Sequence, residues 1–203
     1  DHCAIPVHGA HDPRQAVNRF YAFAVPYVWL ANAQQRASGL HLMISDIQRI
    51  PSGSVDPKAK NYHWNDLTMG LFGALDAGAD TVLLVDGAGN VVEGPGFNVF
   101  CVKDGVLATP DAGMLEGITR RTVIEMARAH HLPVQTRTVS VQELRAADEV
   151  FLSTSGGGVL PVTQVDGQPV GTGVPGPVTT RLVDTYWQWH ADPAYTLSID
   201  YTA

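Results

Sequence analysis

The sequence predicts an α+β fold in which a mostly antiparallel sheet or barrel is flanked by helices. Three observations predict it. Short β-type runs, TVLLVD, NVVEG and FNVFCVKDGVLATP, follow one another between Thr81 and Pro110 with glycine-containing turns between them, the spacing of hairpins. Three other stretches, near Asp66, Ile118 and Pro177, repeat apolar residues at helical spacing. The 203 residues are 45% hydrophobic and 16% charged, against about 25% charged in an average soluble domain, so there is material for one sizeable core.

The elements follow in order. Arg19 to Trp29 is apolar on both faces and reads as a buried strand, with Pro26 marking an edge or bulge. GLHLMISDIQRI (39–50) reads as a second strand. From Asp66, a helix carries Leu67, Met69, Leu71, Phe72 and Leu75 to a C-cap at Gly78. The short strands come next, with Asp104-Gly105 as a hairpin turn that puts Lys103 on an exposed tip. Ile118 to His131 is an amphipathic helix, followed by the strand VQTRTV (134–139). DEVFLSTSGGGVLPV gives a strand that ends in Thr154, Ser155 and three glycines, and Pro177 to His190 forms the last helix.

Charge and composition exclude several classes. A net charge of −7 with 13 Lys plus Arg lacks the clustered cations that hold nucleic acid or an anionic membrane, so the expected partners are small molecules. Two cysteines, Cys3 and Cys101, make neither a disulfide framework nor a metal motif and fit a reducing compartment. No apolar run reaches the roughly 20 residues that span a bilayer, and DHCAIPVHG has no signal-peptide pattern; a cytoplasmic protein is expected. The chain opens on Asp1 in a loop-like stretch, which reads as the end of a missing N-terminal part: residues 1–18 as an interdomain loop and remnant, 19–203 as the large domain.

Lys58, Lys60 and Lys103 are the lysines. Lys58 and Lys60 share one turn, in DPKAKNYHWNDLT, on the approach to a helix. A lone lysine is ordinarily solvent-facing, an acid before Gly-Pro-Gly an ordinary turn residue, a Gly-Ile-Thr helix start a cap and Thr-Ser-Gly-Gly-Gly a loop. Together they describe one ligand. A helix N-terminus with a nearby Thr, and a Thr-Ser pair leading into glycines, can hold a phosphate without lysines. A deprotonated lysine in an apolar aromatic pocket can form a Schiff base with an aldehyde, and a carboxylate can pair with a protonated pyridine nitrogen. Phosphate, aldehyde and pyridine nitrogen are the handles of pyridoxal 5'-phosphate.

VDPKAKNYHW, VVEGPGFNVF, LEGITRRTV and STSGGGVLPV resemble the consecutive motifs of the fold-type IV pyridoxal-phosphate aminotransferases. The Lys-Asn run with Trp64 and Asp-Leu, GVPGPVT and DPAYTLSIDY most resemble the (R)-selective amine transaminases within that class. The resemblance, from about Val17 onward, implies the large C-terminal domain of that fold, a pseudo-barrel of mostly antiparallel strands. It implies Lys60 as the Schiff-base lysine and Glu93 as the pyridine-nitrogen partner. Gly96 and Phe97 would support backbone and ring, Leu115 would pack on the ring, and Ile118, Thr119, Thr154 and Ser155 would contact the phosphate. Lys58 is left as a solvated turn residue. Trp64 lines the substrate pocket, a core position being the alternative. His8, with Arg14 nearby, stands where the group's carboxylate-binding arginine would be. The implied activity is transfer of an amino group from a primary amine to an oxo-acid by a homodimer. The alternatives are a branched-chain or D-amino-acid aminotransferase, an aminodeoxychorismate-lyase-like enzyme, or a truncated remnant without catalysis.

Overall fold

The computed structural model describes residues 3–5, 12, 14 and 17–200. Strands β1 (Cys3–Ile5) and β2 (Val17–Arg19) pair antiparallel as a small separate sheet. After the short helix α1 (Ala33–Ser38) the main sheet begins with β3 (Leu40–Gln48). Helix α2 (Asn65–Asp76) leads to β4 (Thr81–Val85), β5 (Glu93–Gly94), β6 (Phe97–Lys103) and β7 (Val106–Thr109). Helix α3 (Ile118–Ala129), β8 (Val134–Thr136) and helix α4 (Val141–Arg145) precede β9 (Glu149–Thr154), β10 (Gly158–Val165), β11 (Gln168–Pro169) and helix α5 (Pro177–Trp189).

The expected buried strand over 19–29 is not formed. Only Val17–Arg19 finds a pairing partner, and the stretch that follows runs through solvent, with Phe20 94% exposed. An apolar pattern states what a strand could bury; hydrogen bonding to a neighbouring edge decides whether it is one.

The sheet order is β4-β3-β10-β9-β6-β7-β8, with β11 on β10 and β5 on β6. Hairpin spacing predicts its antiparallel centre, where β10, β9, β6 and β7 pair in turn. The flanks are parallel: β3 beside β4 and β10, β7 beside β8. Helices α2 and α3 cause the β3–β4 and β7–β8 pairings, because a helix between two strands returns the chain to the end where it started. The expected hairpin forms at Asp104 (φ 48°) and Gly105 (φ 75°), the doubly left-handed turn that matches strand twist. Its tip is not free of partners, since Lys103 Nζ pairs with Asp148 at 2.8 Å.

Alternation along β6 and β9 sends side chains to two cores. Val99, Cys101, Val150 and Leu152 join one cluster; Phe100, Val102 and Phe151 join the other, beneath α3 and α5. That second face, at its β5 end, carries the polar residues of the site. No helix among the described residues is long and apolar enough to cross a membrane.

Candidate active site

At the end of the sheet under the α3 N-terminus lies a cavity of about 340 Å³, whose wall includes Lys60, Trp64, Glu93, Gly96, Phe97, Leu115, Ile118, Thr119, Thr154 and Ser155. Residues from four separate sequence motifs are thus brought together. Glu93 is buried at the start of β5; Arg49 Nε donates to its Oε1 and Leu115 N–H to its Oε2, both at 3.0 Å. A carboxylate has about four lone-pair sites, so Glu93 can still accept from a ligand in the cavity. Burial pushes its carboxyl above the ordinary value; the Leu115 N–H and the Arg49 guanidinium oppose this without cancelling it.

Arg49, which the sequence does not single out, is itself buried and also donates from Nη1 to Asp66 Oδ2 at 2.7 Å. Asp66 accepts from the Ile50 N–H as well. Burial alone would raise the Asp66 carboxyl; these donors outweigh it and hold it low. Asn98, opposite Glu93 in the β5–β6 register, donates from Nδ2 to Leu115 O at 2.8 Å. Leu115 is therefore fixed at both its N–H and its carbonyl.

From Leu115 the chain enters α3 through Gly117, where a Cβ would meet Asn98 Oδ1 at 2.4 Å. No side chain caps α3, so the first N–H groups of a twelve-residue helix face the cavity end unmatched by an acceptor among the described residues. Helix α5 differs: Glu149 accepts from Val178 N at 3.0 Å and Thr179 N at 2.7 Å. Thr119 is buried beside the cavity, whereas the Ile118 side chain is 72% exposed and only its backbone can serve an anion. Thr154 also lines the cavity; its hydroxyl donates to Gly96 O at 2.8 Å and accepts from Gly156 N at 3.1 Å, so it braces the loop. Ser155 is exposed at the cavity edge, its carbonyl held by Tyr27 Oη at 2.7 Å.

Lys60 lies at the cavity mouth on an exposed loop; the apolar enclosure expected around its amine is not built by this chain's described residues. Trp64 forms part of the wall and is 40% exposed, which removes the core alternative. Lys58 is not simply solvated: its Nζ meets Glu116 Oε1 at 2.8 Å, tying the lysine loop to the α3 entry. Arg14 is paired with Asp12 at 2.7 Å and is not among the cavity residues. His8 lies outside the described residues.

The pattern of the Amino-transferase class IV family matches residues 5–165. The chain belongs to this family. Among class IV aminotransferase relatives, the probable branched-chain-amino-acid aminotransferase of Thermotoga maritima is 38% identical over 157 residues, 76% of this chain and 57% of that protein. The branched-chain-amino-acid aminotransferase of Escherichia coli is 35% identical over 168 residues, covering 81% of this chain and 54% of the relative. The chain thus spans little more than half the length of these relatives. A crystal structure of the Thermobaculum terrenum branched-chain amino acid aminotransferase in its PLP form superposes with a TM-score of 0.75 at 34% identity, covering 81% of this chain and 56% of that one. The fold is accordingly the α+β pseudo-barrel of fold-type IV, with a mixed sheet.

Proposed function

We propose that this class IV aminotransferase chain binds pyridoxal 5'-phosphate and transfers an amino group between a small primary amine or amino acid and an oxo-acid. The observation that carries this is one cavity bounded by Lys60, by the buried Glu93 and by the uncapped α3 N-terminus. These residues fit the cofactor: an acceptor with spare capacity for a ring N–H, a flat shelf at Leu115 and Phe97, and unmatched N–H donors for a phosphate. When bound, the cofactor supplies an aldehyde for the amine and an electron-withdrawing ring. Lys60 Nζ would be the group to hold that aldehyde, and its amine would move the proton at the substrate Cα. Glu93 keeps the ring nitrogen protonated, and Arg49 keeps the Glu93 carboxylate facing it. Thr119, Ser155 and the Ile118–Thr119 N–H groups bind the phosphate, and Trp64 limits the substrate side.

For the substrate, the relatives support a branched-chain amino acid with its oxo-acid partner. The second reading, an (R)-selective primary amine, is favoured by the Lys60-Asn61 run ending at Trp64, which faces Gly96 across the cavity wall, 3.8 Å from where a Cβ would stand there. Incubation with pyridoxal 5'-phosphate is expected to give a coloured protein, and borohydride reduction followed by peptide mapping is expected to locate the label on Lys60. Absence of uptake, or a label on Lys58 or Lys103, would sink the assignment. Single-turnover tests with L-leucine, (R)-1-phenylethylamine and D-alanine separate the substrate readings, with L-leucine the expected donor.

A further inference from the structure

The loop that carries Lys60 is tied to the rest of the molecule at one polar point. Among the described residues, the hydrogen bonds made by residues 51–63 end within residues 51–64: Ser54 and Val55 N–H donate to Pro51 O, Ala59 N–H to Asp56 O, Lys58 N–H to Asp56 Oδ1 and His63 N–H to Asn61 Oδ1. The exception is the Lys58 side chain, whose Nζ meets Glu116 Oε1 at 2.8 Å. A segment bonded only to itself keeps its own shape, but its place on the molecule is set by what it touches beyond itself.

Glu116 is a firm anchor for that contact. The neighbouring Leu115 N–H is held by Glu93 Oε2, and the Leu115 carbonyl accepts from Asn98 Nδ2 and from the Gly117 N–H. The pair also joins two parts of the cavity wall, which takes Pro57, Ala59 and Lys60 from the loop and Leu115, Glu116 and Gly117 from the α3 entry. Both charged side chains are exposed, so the pair adds little to overall stability; what it fixes is local. The hydrogen bond between them holds the Lys58 ammonium above its ordinary value and the Glu116 carboxyl below its own, so both ends are charged at neutral pH.

We propose that the Lys58–Glu116 pair is an ionic latch that holds the Lys60 loop against the α3 entry, making Lys58 and Glu116 positioning residues for the Lys60 amine. Through the Leu115 backbone the latch refers that amine to the buried Glu93 carboxylate on the other side of the cavity. The positioning role rests on the proposed cofactor binding; the latch itself does not.

Two measurements on the full chain test this. Without cofactor, chymotrypsin cleavage after Tyr62, in the same loop, is followed against cleavage after Phe20, outside it; both residues are exposed, and such cleavage tracks the population of the open form. Lys58→Met and Glu116→Gln are each expected to speed cleavage at Tyr62 about two- to fivefold relative to Phe20. The double variant is expected to be no faster than either single one, and Lys58→Arg to restore the original ratio. The difference from the unsubstituted chain is expected to narrow as salt is raised to about 1 M, where the screening length falls to roughly 3 Å. With pyridoxal 5'-phosphate added, the same two substitutions are expected to slow imine formation at Lys60, read by absorbance, by a similar factor, with recovery in Lys58→Arg and Tm level throughout. Unaltered cleavage at Tyr62, additive effects in the double variant, no recovery by Lys58→Arg or a lowered Tm overturns the latch. Faster cleavage with unchanged imine formation overturns the positioning role. If the unsubstituted chain forms no imine, the cofactor reading falls and the positioning role with it, while the cleavage ratios still decide the latch.

Discussion

Arg49 holds together two carboxylates that come from distant parts of the chain. With Glu93 and Asp66 both within 3.0 Å, removal of its charge leaves two acids facing one another in a poorly solvated site. Arg49→Met is expected to lose about 3–5 kcal/mol, read from urea unfolding, and Arg49→Lys to recover only part of it, because one ammonium cannot reproduce a guanidinium fork. The two acids act oppositely with pH. Burial holds the Glu93 carboxyl above its ordinary value, so the folded chain retains a proton that the unfolded chain has already lost. Its stabilising contribution is complete below the ordinary carboxylate value and disappears as pH rises through the raised one. Asp66, held low, contributes above the ordinary value and loses this as pH falls through its own. Unfolding midpoints measured against pH should therefore lose the decline on the upper side in Glu93→Gln and the acid-side decline in Asp66→Asn. Lys60 and Glu93 can be singled out in the sequence because each stands in a local motif, and both line the cavity. Arg49 cannot, since it acts through Glu93, 44 positions further along the chain.

At the scale of elements, the contrast between α3 and α5 assigns them different tasks. Helix α5 starts on Pro177 and has its free N–H groups met by Glu149, so its N-terminus serves stability. Glu149→Ala is expected to cost about 1–3 kcal/mol by denaturant titration without altering ligand uptake. Helix α3 keeps its N-terminus open, and Gly117 there lets Asn98 come close. Gly117→Ala must displace the Asn98 amide and release Leu115, so a loss of cofactor affinity measured by absorbance is the expected outcome. Apolar spacing locates α2, α3 and α5 to within two residues at each end, because each buries one face against the sheet. The short helices α1 and α4 offer too few turns for periodicity, although their caps are written in the chain: Asn32 with Gln35, and Ser140 with the Glu143 N–H. Parallel pairing of β3 with β10 is invisible locally, since it joins segments some 120 residues apart.

For the molecule as a whole, the central strands bind two cores into one unit. Phe100 and Phe151 stack at 5.0 Å on the helix-covered face; Phe151→Ala is expected to cost about 3–5 kcal/mol, measured by thermal or denaturant unfolding. On the opposite face lies Cys101, 1% exposed, with its thiol pushed up to about 12, chiefly by burial and also by the charge of Glu143. A thiol so placed stays protonated and out of reach while β6 remains between β7 and β9. In a Cys3→Ser background, the rate at which a disulfide reagent modifies Cys101 under native conditions becomes a clock for the opening of the central sheet, ticking once for each excursion that lays the strand bare.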